Sequence, residues 1–168
     1  MPQVKPKVDK KKTIIPLAST VVALGVLLGV NEGMRQVPYY DSVGVLTVCE
    51  GITGPEVIKG RRYTLQECYS LKRRYLDRMY ARLGVCLKVD ISQEELLAYG
   101  HASYNFGVGL FCKNFAPMIN VGRNYQACAR LERYVYAAGR DCRVRANNCY
   151  GIVTRRAMER ELCEGGLE

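Results

Sequence analysis

Glu32, Asp41 and Thr47 follow one another at spacings of nine and six residues. Two carboxyl groups brought across a cleft suit the cleavage of a glycosidic bond. One must be protonated, to donate to the leaving oxygen. The other must be ionised, to serve a water or the sugar. A Glu at the end of a helix and an Asp in a neighbouring turn could meet in this way. Ordinary structural roles are the simpler account of the same residues. Glu32 can cap the helix before it, and Asp41 can open the turn Asp41-Ser42-Val43-Gly44. Glu50 is a further, weaker candidate carboxylate. At the level of residue type and spacing, both readings stay open.

The elements that would carry these residues can be read from periodicity. Residues 37–62 form a small β region. Val37-Pro38-Tyr39-Tyr40 leads into the turn, and Val45-Leu46-Thr47-Val48-Cys49 reads as a short strand. Gly51, Gly54, Pro55 and Gly60 break the stretch after it. Thr64-x-x-Glu67 is a capping box opening a helix that sets Cys68, Leu71, Tyr75, Leu76, Met79 and Leu83 on one face. Ser92-x-x-Glu95 is a second capping box, ahead of Leu96, Leu97, Tyr99, Ala102 and Phe106. Residues 107–122 read as turns joining short helices. A further helix is expected over 123–138, and a last one from near Thr154 to just before Gly165. A small sheet followed by a run of helices is an α+β pattern.

The chain has 168 residues, 48% hydrophobic and 24% charged, which fits a folded domain and argues against wholesale disorder. It has eight cysteines but one histidine and no Cys-x-x-Cys pair, so a zinc site fails on ligand spacing. An oxidising compartment explains the cysteines better. A route out of the cytoplasm is present. Lys5, Lys7, Lys10, Lys11 and Lys12 stand against Asp9 alone, and an uncharged run of 18 residues comes next, from Thr13 to Val30. As a helix this run reaches about 27 Å, near the lower limit for crossing a bilayer. The lysines hold its N-terminal end in the cytoplasm, so the rest faces outward. The run is weakly apolar, and three fates compete: a permanent anchor, a cleaved signal peptide, and an uncleaved signal-anchor that later leaves the membrane. The net charge of +9 makes nucleic acid a formal partner, but no nucleic-acid motif is present and export argues against it. Residues 123–160 hold nine Arg against Glu132, Asp141 and Glu159, an excess suited to an anionic wall or simply to a solvated face. His101, inside the second predicted helix, reads as a structural histidine.

Three stretches then match a known pattern in order. They are Glu32-Gly33-x6-Tyr40-Asp41-Ser42-x-Gly44-x2-Thr47-x-Cys49-x-Gly51-x-Thr53-Gly54, Asn105-Phe106-Gly107-Val108-Gly109-x-Phe111, and Gly151-x3-Arg155-Arg156-x2-Glu159. Over about residues 29–164 the chain resembles the phage-type lysozymes, glycoside hydrolase family 24. Its front end resembles the signal-anchor-release endolysins of lambdoid phages. The resemblance implies a lysozyme-like α+β fold, with a small β-hairpin lobe and a mainly helical lobe. It divides the chain into a basic tail and signal-anchor (1–30) and a catalytic domain (31–168). It implies hydrolysis of the β-1,4 bond between N-acetylmuramic acid and N-acetylglucosamine in peptidoglycan, without metal or cofactor. Glu32 would be the general acid, Asp41 the second carboxylate, Thr47 a water-positioning residue and Asn105 a substrate contact.

The rivals are a lytic transglycosylase, which needs no partner such as Asp41, and a non-enzymatic membrane-bound antibacterial protein. The resemblance also favours the signal-anchor that is released. The enzyme would be held inactive in the host inner membrane, with Glu32 at the lipid surface, and become active in the periplasm as a monomer. It also implies a functional link to a holin or pinholin. For the cysteines the resemblance suggests Cys49–Cys68, Cys86–Cys112 and Cys128–Cys163. Cys142 and Cys149 flank a six-residue segment and are expected to close that local loop.

Overall fold

A computed structural model describes residues 34–41 and 44–165. The run 13–30 and Glu32 lie outside the described residues, among which no helix is long and apolar enough to cross a membrane.

The β region is a three-stranded antiparallel sheet, β1 (Arg35–Tyr40), β2 (Leu46–Cys49) and β3 (Ile52–Thr53), in that order. Tyr39 pairs with Thr47 and Tyr40 with Leu46, and the register shifts between Arg35 and Tyr39. Pro38 falls in that irregular stretch, where a residue with no N–H to give the ladder is tolerated. The sequence marked residues 37–40 only as a lead-in to the turn. Pairing with β2 makes them a strand. Val48, Cys49 and Ile52 turn inward onto Val57, Tyr63, Cys68 and Leu71. Tyr63 fastens the loop after the sheet: its hydroxyl donates to Glu56 O at 2.8 Å and accepts from Ile58 N at 2.9 Å.

Helix α1 (Leu65–Cys86) starts at the expected capping box. Thr64 Oγ1 accepts from Glu67 N at 3.2 Å, and Thr64 N donates to Glu67 Oε2 at 2.8 Å. Helix α2 (Gln93–Phe106) repeats the device with Ser92 and Glu95, at 3.1 and 2.8 Å. Two short helices come next, α3 (Val108–Asn114) and α4 (Ala116–Asn120), then α5 (Asn124–Arg130). The last helix is α6 (Gly151–Gly165). Helix α2 runs through the middle of this lobe, with Ala98, Tyr99, His101 and Ala102 fully buried. Around it pack Leu76, Met79 and Leu83 of α1 and the stacked rings of Phe111 and Phe115, whose centroids are 5.2 Å apart.

Two expectations need correction. The helix expected over 123–138 stops at Arg130, continues as one 3-10 turn (Leu131–Arg133), and gives way to a hairpin of β4 (Tyr136–Ala137) and β5 (Arg140–Asp141). The turn is Ala138-Gly139, both at positive φ (48° and 75°). A two-residue hairpin turn favours that conformation, and the Tyr134-Val135-Tyr136 run before it prefers extended backbone. The last helix begins at Gly151 rather than near Thr154, and reaches Gly165.

Four disulfides join the elements: Cys49–Cys68, Cys86–Cys112, Cys128–Cys163 and Cys142–Cys149. The first holds β2 on α1, and the third ties α5 to α6.

Candidate functional site

A cleft of about 630 Å³ separates the sheet from the helical lobe. Tyr39, Asp41, Thr47 and Gly51 line it from the sheet. Tyr104, Asn105, Phe106 and Leu110 line it from α2 and α3. Arg133, Tyr134, Tyr136, Ala137, Ala138 and Ile152 complete the far wall.

Asp41 follows β1 and begins the turn to β2. Its backbone N donates to Val45 O at 3.0 Å, and its Oδ1 accepts from Val45 N at 2.8 Å. The same carboxylate therefore serves the turn and borders the cleft, and the turn fixes its direction. Thr47 is only 3% exposed. Its Oγ1 donates to Val45 O at 3.0 Å, which spends its one hydrogen and leaves the oxygen an acceptor toward the cleft. Asp41 and Thr47 are thus both anchored to Val45.

Gly51, at φ +83°, turns the chain between β2 and β3. A Cβ there would lie 3.8 Å from the Tyr104 ring and hydroxyl. The Tyr104 hydroxyl donates to the backbone O of Glu50, and its ring meets Tyr75 edge-on at 5.2 Å. This contact locks α2 against the sheet at the cleft floor. The Glu50 side chain itself is buried and paired with Lys72, and it does not line the cleft. The weaker carboxylate candidate is therefore engaged in a structural ion pair.

On the helical side Asn105 is exposed in the cleft, and its Oδ1 accepts from Arg156 Nη2 at 2.8 Å. Arg156 is fully buried, with Nη1 3.0 Å from Glu159 Oε2. Glu159 Oε1 lies 2.6 Å from His101 Nδ1, and these two residues are also fully buried. Burial pushes the Arg156 guanidinium down from its ordinary value, and the Glu159 charge opposes that shift. His101 is thus a partnered core residue, one member of a chain that reaches the cleft through Asn105.

The β4–β5 hairpin is the part of the cleft that sequence reading missed. Tyr136 is 57% exposed, and its hydroxyl accepts from Arg143 Nη2 at 3.1 Å. Arg143 forks onto Asp141 with contacts of 2.6–3.1 Å. The hydrogen bonds from Arg143 hold the Asp141 carboxyl down at about 2. The available signal was the short β-prone run closed by Ala138-Gly139. Among the described residues no group of three or more His, Cys, Asp or Glu could hold a metal ion.

Comparison with known proteins matches the phage lysozyme family over residues 30–159. The chain is 37% identical to the SAR-endolysin of Enterobacteria phage P21 over 138 residues, 82% of this chain and 79% of that protein. It is 38% identical to the SAR-endolysin of Bacteriophage PS119 over the same length, 82% of this chain and 78% of that protein. Among solved structures, the active form of the P1 phage endolysin Lyz superimposes with a TM-score of 0.70 at 21% identity. That match covers 92% of this chain and 96% of the other, and it speaks to fold.

Proposed function

The chain belongs to the phage lysozyme family, and on that footing we propose that it cleaves the β-1,4 bond between N-acetylmuramic acid and N-acetylglucosamine. It is a lysozyme-type glycosidase, an endolysin acting on peptidoglycan. In the proposed reaction Glu32 donates a proton to the leaving oxygen. The Asp41 carboxylate, on the opposite side of the bond, stabilises developing positive charge or directs a water. Thr47 Oγ1, an acceptor after its bond to Val45 O, helps hold that water. Asn105 contacts the glycan from the helical side. The observation that carries the reading is that Asp41 and Thr47, anchored to one backbone residue, line the same cleft as Asn105 and a row of aromatic side chains. Aromatic faces and hydrogen-bonding groups are what a sugar strand needs.

Glu32→Gln keeps shape and removes the transferable proton. A fall of about 10²-fold or more in the release of reducing ends from purified sacculi is expected. Retained lysis by this variant would sink the muramidase reading. Products ending in 1,6-anhydro sugars would replace hydrolysis by transglycosylation.

The same proposal covers delivery. Residues 1–30 form the cytoplasmic tail and signal-anchor, and 31–168 the catalytic domain. Lysines on one side of a weakly apolar run, and relatives named SAR-endolysins, support it. While the run is embedded in the host inner membrane, Glu32 sits at the lipid surface and cannot reach its place opposite Asp41. Collapse of the membrane potential, supplied by a holin or pinholin, lets the run leave, and a monomeric enzyme acts in the periplasm. Replacing Gly25 and Ser19 by Leu strengthens the anchor, and delayed lysis is the expected result. Unchanged timing would show that escape is not the control step.

A further inference from the structure

Helices α2 and α6 are joined by two polar rungs that span the cleft side and the core. His101 and Asn105 lie one turn apart on α2, and Arg156 and Glu159 lie one turn apart on α6. One rung is His101–Glu159 at 2.6 Å, and the other is Asn105–Arg156 at 2.8 Å. Arg156 and Glu159 couple the rungs at 3.0 Å. His101, Arg156 and Glu159 are all fully buried, while Asn105 is exposed and lines the cleft. The Arg156 guanidinium also stands 5.1 Å from the centre of the Phe106 ring, another cleft residue. Removing three ionisable groups from water is costly, and a well-packed apolar trio would serve stability at least as well. The arrangement therefore invites a reason beyond stability.

The chemistry of the outer rung supplies one. Arginine only donates, so the atom of Asn105 that faces it must be the carbonyl oxygen. The opposite flip would set N–H against N–H. The Asn105 amide is thus held in a single orientation, with its two N–H donors on the branch away from Arg156. Among the described residues Nδ2 has no hydrogen-bond partner. We infer that Arg156 is a positioning residue that aims the Asn105 amide N–H groups into the cleft as donors to an acceptor oxygen of the glycan. The acetamido carbonyl repeats on every sugar of the strand and is the acceptor that fits. Glu159 and His101 hold Arg156 in turn. The inference rests on the proposed action on peptidoglycan.

The deciding variant is Asn105→Asp, assayed in the full-length protein by reducing-end release from purified sacculi. A carboxylate accepts from Arg156 at least as well as the amide does, so the core network stays intact and the melting temperature holds or rises. The side facing the cleft changes from donor to charged acceptor. The apparent KM should rise by about tenfold to a hundredfold, with kcat changed much less, as for a lost hydrogen bond plus an unpaired polar group. If Asn105 only caps Arg156, Asn105→Asp keeps its KM within twofold of the wild type, and the inference is overturned. A fall in kcat at constant KM overturns it as well. Arg156→Lys keeps the charge beside Glu159 but loses the planar fork. It should also raise KM, and Asn105→Asp added to it should give less than the product of the two effects. A wild-type protein that releases no reducing ends from sacculi would refute the parent reading instead, so the two failures are distinct.

Discussion

The two walls of the cleft hold their side chains by different means. On the sheet side, Asp41 and Thr47 are set by backbone. Both bond to Val45, Asp41 across the turn and Thr47 from two residues further along, beside a short strand ladder. On the helical side, Asn105 is set by buried charge, through Arg156, Glu159 and His101, none of which touches water. The sheet lobe has its own ion pair, Glu50–Lys72, but those side chains remain 10% and 9% exposed, against 0% for Arg156 and Glu159. A pair that keeps some solvent, as Glu50–Lys72 does, can let water stand in for part of a lost partner. A fully desolvated network cannot draw on water, so its parts stand or fall together.

This contrast makes predictions of decreasing size. Arg156→Met leaves Glu159 buried without its cation and should cost about 3–5 kcal/mol in urea unfolding. Lys72→Met should cost clearly less, because the Glu50 carboxylate keeps some solvent. Equal losses would erase the distinction between the two walls. Replacing the cysteine pairs by Ala gives the next effect, about 2–4 kcal/mol each. Cys128–Cys163 closes a separation of 35 residues in the helical lobe, and Cys49–Cys68 one of 19 at the sheet. Loop entropy makes the first worth about 0.5 kcal/mol more. A larger loss at Cys49–Cys68 would mean that the sheet depends on its disulfide more than on its ladder.

The smallest effect belongs to the exposed hairpin. The Asp141 carboxyl is held at about 2, below its ordinary value of 3.8. A depressed carboxylate stabilises the fold above its unfolded value and loses that contribution as pH falls through its folded one. The melting temperature of Asp141→Asn should therefore lie below that of the wild type at pH 5, and the gap should narrow as pH falls from about 4 to about 2 and vanish only below both values. A gap that does not narrow between pH 4 and pH 2 would show that the Arg143 fork does not act through the charge on Asp141.

Local signals carried much of this molecule. Both capping boxes open the helices they announced, because Thr64–Glu67 and Ser92–Glu95 satisfy backbone N–H groups within four residues. The β-branched and apolar run over residues 45–49 marked β2, most of which is buried. The turn at Asp41 was readable from its own residues, and the cysteine count implied export with no reference to any partner. The short hairpin at 136–141 escaped notice because two-residue strands offer no period to detect. Its identity as a cleft wall depends on packing beside Tyr134 and Ile152.

What the sequence by itself determined is therefore whatever is decided between near neighbours: caps, turns and the faces of helices. The tertiary structure alone decided which polar groups would meet. Asn105 and Arg156 are separated by 51 residues, His101 and Glu159 by 58, and Glu50 and Lys72 by 22. Nothing in the residue types distinguishes Arg156 from the eight other arginines between 123 and 160. It differs because α6 packs on α2 and removes it from water. Once it is there, its donor-only guanidinium meets a carboxylate and an amide oxygen.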